Sequence, residues 1–281
     1  MKNYYLDASA VIWLAKKENL RDKLGELSKA RKIRLLVSPI SLEEVLCGVG
    51  DFGKRESDFS SISFLLESAY PRMLAEVDVV HLRAGLEALG RGGRRHPYSE
   101  KGTLSVPRLI QSLLGFSLDE VRRVRVESIK YRRQGKEEFR TWFDDLFVEV
   151  STSEQFHPDM VRLPFPEYFE RHFSGQYSRW SPVPGMRRLA QKKRFLQSGI
   201  PTLQIIPAML MYQFWARGQS KPEPTSIGLN DVRQLSYLEF VDVFVGRDQS
   251  MNRVAKKALA PLGGLADKII GIDGFIESLP Q

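Results

Sequence analysis

Cysteine is nearly absent: Cys47 is the only one in 281 residues. One thiol closes no internal disulfide and builds no thiolate metal cluster, and this usage fits a reducing, cytoplasmic compartment. A long apolar run is also missing. The most apolar later stretch, 200–215, holds Pro201, Gln204, Pro207 and Gln213. It is too short and too polar to span a bilayer, so no membrane partner is expected. Lys2 is followed by strand-forming residues, not by an apolar core with a cleavage site, so no signal peptide is expected. Repeats and low-complexity tracts are lacking. The histidines His81, His96, His157 and His172 show no metal-ligand spacing and receive no role.

What is present is an ordinary core and a basic balance. The chain is 42% hydrophobic and 27% charged, with Lys+Arg 42 against Asp+Glu 34, a net charge of +8. Such a charge suits a polyanion such as nucleic acid, although it does not select one by itself.

The opening residues organise the rest. Tyr4, Tyr5 and Leu6 form an apolar run, Asp7 follows, Ala8 and Ser9 are small, and Val11, Ile12, Leu14 and Ala15 resume at helical spacing. This predicts a buried strand, a tight turn and a helix, with Asp7 at the strand's carboxyl end. Residues 35–40 predict a second strand stopped by Pro39. Ser41 and Glu44 have the spacing of a capping box that opens the next helix. From about Gly50 the texture turns helical, with a basic glycine-rich loop at 90–97, a capping box at Ser117–Glu120 and a helix carrying Arg122 to Arg133. Residues 158–184, rich in proline and aromatics, predict irregular structure. Arg187, Arg188, Lys192, Lys193 and Arg194 predict a second basic helix, and 200–215 a buried one. Strand texture returns at 241–245 and 268–272, with a short helix after Asn230 and Asp231 and another after Asp248.

The expected architecture is therefore a three-layer α/β/α unit around a mainly parallel sheet. Its discontinuous core spans 1–50 and 226–281, and a long, mainly helical insertion occupies 51–225.

Asp7, Glu44, Asp231 and Asp248 occupy equivalent places, after strands or at helix starts, which a parallel sheet gathers on one edge. Taken singly each has an ordinary role. Asp7 can end a strand, Glu44 can close a capping box, Asp231 can complement a helix dipole after an Asn230 cap, and Asp248 can be an N-cap. Together, four carboxylates repel and raise one another's pKa. A divalent cation relieves that conflict, and oxygen ligands suit Mg²⁺ or Mn²⁺. Such a site serves phosphodiester hydrolysis. Asp242 is a further acid, but six extended residues span about 20 Å, so Asp242 and Asp248 belong at opposite ends of their strand.

These blocks resemble the PIN-domain metal-dependent nucleases. Residues 4–12 look like that family's opening, an apolar run, Asp, a small residue and Ser or Thr. Residues 37–48 look like its second motif, in which glycine four places on selects Glu44 over Glu43. Residues 230–248 look like the third and fourth motifs. The resemblance covers roughly the first 50 and last 55 residues. It implies a PIN-like fold, a ribonuclease that is a hydrolase, Mg²⁺ or Mn²⁺ as cofactor, and Asp7, Glu44, Asp231 and Asp248 as metal ligands and catalytic acids. It also implies that Ser9 positions phosphate or water near the first acid. RNA is the expected partner. Many small relatives are toxins, which adds an antitoxin-type protein partner, and a homodimer is compatible with the same reading. Arg187, Arg188, Lys192 and Lys193 are the expected substrate-binding cations, where a phosphate backbone would run along the insertion. Tyr177 and Trp180 are candidates for base stacking, and Trp142 for core packing.

The chain departs from the family in its long insertion, in Arg247 before the fourth acid and in Gln234, where some relatives carry His. A PIN-like module that binds RNA or protein without cutting is the alternative. A haloacid-dehalogenase phosphatase also puts Asp after its first strand, but needs a second Asp where Ser9 stands.

Overall fold

The computed structural model describes residues 1–48, 55–91, 96–99, 118–152, 157–180, 199–219 and 228–280. Four parallel strands build its sheet: β1 (Lys2–Leu6), β2 (Ile33–Leu36), β3 (Val243–Val245) and β4 (Ile269–Ile270), in the order β2-β1-β3-β4. The two ends of the chain thus share one sheet. β1 lies at its centre, with β2 on one side and β3 on the other, so the strand order reverses direction at β1, the kind of point where parallel α/β sheets hold ligands.

Both faces are covered. Side chains alternate along a strand, so Tyr5, Leu36, Phe244 and Ile269 enter one core while Tyr4, Leu6, Leu35, Val243 and Val245 enter the other. That is why these strands read as continuous apolar runs rather than as alternating ones. On the second face lie α1 (Ala8–Ala15), α2 (Glu18–Lys29), α4 (Arg55–Ser68) and α12 (Ile272–Ser278). On the first lie α5 (Val77–Ala88), α6 (Leu118–Ser151), α7 (His157–Arg162), α8 (Phe165–Trp180), α9 (Pro201–Arg217), α10 (Leu229–Leu235) and α11 (Gln249–Leu259). The helix α3 (Pro39–Gly48) bridges the two, with Ile40 in the first core and Leu42 and Val45 in the second.

Residues from 51–225 reach the sheet itself. α9 buries residues on all sides, among them Ile205, Ile206, Met209 and Phe214, and packs on α5, α8, α10 and α11. After α4 the chain runs beside β2, where Tyr70 N–H donates to Leu35 O at 2.8 Å and Leu74 N–H to Val37 O at 3.0 Å. Met73 and Leu74, which continue a helical apolar spacing in the sequence, are therefore extended. Trp142 is partly buried against the first core, as expected.

Three expectations are corrected. Strand β2 ends at Leu36 rather than Ile40, and Pro39 is the first residue of α3, where its missing N–H costs nothing. The capping box is Ser38 with Ser41: Ser41 N–H donates to Ser38 Oγ at 3.1 Å and Ser38 N–H to Ser41 Oγ at 3.0 Å. Glu44 consequently sits in the second helical turn, not at the third position. Residues 158–162 and 165–180 are helical, in α7 and α8, rather than irregular, because Phe165, Tyr168 and Phe169 recur at helical spacing and bury against the core. The basic residues Arg187, Arg188, Lys192, Lys193 and Arg194, and the side chains of Tyr177 and Trp180, lie outside the described residues.

Candidate active site at the carboxyl edge of the sheet

Asp7 leaves β1 and caps α1. Its Oδ1 accepts from Ala10 N–H at 2.6 Å, and its two oxygens accept from Ser9 Oγ at 2.9 and 3.0 Å. Asp at this position starts a helix because its short side chain satisfies one of the first orphan amides, and Ser9 in the first turn donates its hydroxyl back to that cap. Asp7 N–H pairs with Val245 O at 3.1 Å, which ties the acid to the end of β3. Asp7 is 8% exposed. Burial raises its pKa to about 6, and the charge of Asp231 adds to the rise; bonds from Ala10, Ser9 and the Arg247 amide oppose it.

Asp231 sits at the third position of α10 and reaches back to the Gly228 N–H at 3.0 Å. The cap residue is thus Gly228, not Asn230. Burial raises the Asp231 pKa; the Gly228 bond opposes that, the charge of Asp248 adds to it, and Lys136 on α6 lowers it. Asp248 caps α11 through Oδ1, which accepts from Ser250 N–H at 2.8 Å and Met251 N–H at 3.0 Å. The turn from β3 to Asp248 passes Gly246, where a Cβ would clash with Asn252 Oδ1, so a larger residue fits only when that side chain moves. Glu44 receives two amide donors from α10, Asn230 Nδ2 at 3.3 Å and Gln234 Nε2 at 3.2 Å.

The carboxyl edge therefore carries Asp7, Asp231 and Asp248 as a chain of acids that feel one another's charge, with Glu44 joined to the same helix as Asp231. Asp242 is elsewhere. It accepts from Asn3 N–H at 2.7 Å, at the amino end of β1, as the strand count predicts. Ser9 turns its hydroxyl to Asp7. Among the described residues, no three Asp, Glu, His or Cys groups already stand close enough together to hold a metal ion. The donor set is nonetheless all-oxygen and anionic, the chemistry that Mg²⁺ and Mn²⁺ select.

Two residues at this edge were not singled out from the sequence. Lys136 comes from the long helix α6, which packs on α3, and no spacing links it to Asp231. Asn230 has the sequence signature of a cap only, and its bond to Glu44 depends on α3 and α10 meeting.

No family model, curated protein or solved structure matches the chain. No helix among the described residues is long and apolar enough to cross a membrane.

Proposed function

We propose that the protein is a PIN-like, metal-dependent ribonuclease whose site is the Asp7, Glu44, Asp231 and Asp248 edge. The observation that carries the reading is that Asp7 at the end of β1, Asp231 in the first turn of α10 and Asp248 at the cap of α11 lie near enough for neighbouring charges to act, Asp231 on Asp7 and Asp248 on Asp231, beside the burial of Asp7 and Asp231. Holding the buried Asp7 and the half-buried Asp231 beside other acids is costly for a fold, and perturbed acids in such a place mark functional sites. Mg²⁺ or Mn²⁺ would be held by these four carboxylates, and when bound it supplies polarisation of a phosphoryl oxygen and acidification of water. The chain's own contribution is to fix the acids through caps, so that the carboxylates are oriented before a substrate arrives. Lys136 stands near Asp231, where it would attract a phosphate, and the net charge of +8 suits RNA as the polyanion.

The test is cleavage of a labelled single-stranded RNA by the purified chain with Mn²⁺, by the same chain in chelator, and by Asp7→Asn. Asn keeps the shape and the cap while removing one charge, so cleavage should fall by orders of magnitude with the fold intact. Equal cleavage by both proteins would sink the nuclease reading. A second reading, a PIN-like module that binds RNA or protein without cutting, is favoured by the absence of a preformed three-acid cluster among the described residues. RNA binding without cleavage by the wild type selects it.

A further inference from the structure

Four side chains link the three elements that carry Asp7, Glu44 and Asp231. On β1, the fully buried Tyr5 hydroxyl lies 2.8 Å from Ser38 Oγ and donates to Gln234 Oε1 at 2.9 Å. On α10, Gln234 Nε2 donates to Glu44 Oε2 and Asn230 Nδ2 to Glu44 Oε1, at 3.2 and 3.3 Å. Ser38 is also the residue that caps α3, the helix of Glu44. We infer that Asn230 and Gln234 are positioning residues for Glu44, and that the Tyr5 hydroxyl fixes which end of the Gln234 amide faces it; the inference rests on the metal-dependent reading above.

The orientation follows from what each group can do. An ionised carboxylate accepts and never donates, so the NH₂ end of Gln234 must face Glu44. Its oxygen then faces β1 and needs a donor there. Tyr5 is that donor, so the Tyr5 and Gln234 protons both point toward Glu44, while the Ser38 hydroxyl lies between the phenol oxygen and Ser41 Oγ. Were the amide reversed, its oxygen would meet a carboxylate oxygen. Asn230 and Gln234 are four residues apart on α10 and therefore share a face, one holding each oxygen of Glu44. Asp231 lies between them in sequence. A single short helix thus supplies one acid and pins another, and it does so with neutral donors that add no charge to the edge.

Buried amides and phenols often serve stability and nothing more. The two roles separate experimentally, because groups that orient metal ligands typically cost 10–100-fold in metal affinity or activity when removed. Calorimetry with Mn²⁺ as the sole ligand would be run on the full chain, together with kcat and KM on single-stranded RNA, for wild type, Gln234→Met, Gln234→His, Tyr5→Phe and Asn230→Ser. Gln234→Met and Tyr5→Phe should weaken Mn²⁺ binding and lower kcat, each by about tenfold, with KM within about twofold. Gln234→His should recover most of the loss, since a neutral imidazole offers one donor and one acceptor. Asn230→Ser, at a half-buried position, should weaken affinity the same way, which keeps the inference testable where Gln234→Met folds poorly.

Wild-type affinity and kcat in Gln234→Met or Asn230→Ser overturn the inference, even when the melting temperature falls, because the amides would then serve stability alone. A loss that Gln234→His fails to recover also overturns the orientation argument. A wild-type chain that neither binds Mn²⁺ nor cleaves overturns the functional reading itself and the inference with it, an outcome seen before any variant is compared.

Discussion

Asp7→Asn should make the metal-free protein more stable while abolishing its cleavage. Asp7 has a pKa of about 6 in the fold against an ordinary value of 3.8. The fold therefore holds the proton more tightly than the unfolded chain, and ionised Asp7 opposes folding. The sign follows from linkage: the penalty is absent at low pH, grows as pH rises through 3.8, and is complete above about 6. At about 1.36 kcal/mol per pH unit the full penalty is about 3 kcal/mol, and at pH 5 it is about half that. Asn removes it and retains the cap, because its side-chain oxygen can still accept from Ala10 N–H. For a chain of this size that predicts a melting temperature roughly 5–10 °C higher for Asp7→Asn in chelator at pH 7.5, with about half the gain at pH 5. Mn²⁺ should stabilise the wild type and leave the variant nearly unmoved. Scanning calorimetry at both pH values, with and without Mn²⁺, measures all of this. A variant less stable than wild type at pH 7.5 in chelator, or a gap that does not shrink at pH 5, refutes the account of Asp7 as a buried acid held ionised against its surroundings.

Four further outcomes are expected. Asp248→Asn should impair Mn²⁺ binding and cleavage far more than Asp242→Asn, since Asp242 bonds Asn3 at the opposite end of the strand; titration of both with Mn²⁺ decides, and the reverse order would reassign the fourth ligand. Gly246→Ala should cost about 1–2 kcal/mol, because Asn252 must move and lose its 2.7 Å bond to Gly246 O; in an Asn252→Ala background the denaturation cost should shrink, and equal costs would refute the clash. His81 is buried with a pKa pushed down to about 4 from 6.5, so the unfolded chain takes up its proton first as pH falls. Its contribution is full above 6.5 and lost toward pH 4, about 3 kcal/mol in all, and His81→Gln should melt with a flatter pH profile across that window than wild type. Replacing Arg187, Arg188, Lys192, Lys193 and Arg194 with Gln should weaken RNA binding and flatten its salt dependence, read by filter binding across a salt series, and an unchanged slope would assign these cations to a merely solvated face.

The sequence determined the parts of this protein that local chemistry controls. The apolar run before Asp7, followed by small residues and a helical period, could form little but a strand, a cap and a helix, and β1 and α1 are those elements. Asp248 as a helix cap, the buried helix at 201–217 and the separation of Asp242 from the edge follow in the same way, from one side chain, one apolar run and one strand length. Boundaries were less legible where two local signals compete. Ser38 and Ser41 can both cap, and Pro39 can stop a strand or start a helix; the choice of Ser38 depends on β2 ending against β1 and on Tyr5 meeting the Ser38 hydroxyl. Residues 158–180 read as irregular because proline and aromatics disfavour regular structure, yet burying Phe165, Tyr168 and Phe169 outweighs that preference. What tertiary structure alone decided is who meets whom at the edge. The burial that lifts Asp7 and Asp231, the approach of Lys136 and the two amides on Glu44 join residues far apart in the chain. Their energies depend on distance and solvent exclusion, and neither quantity exists until the helices have packed on the sheet.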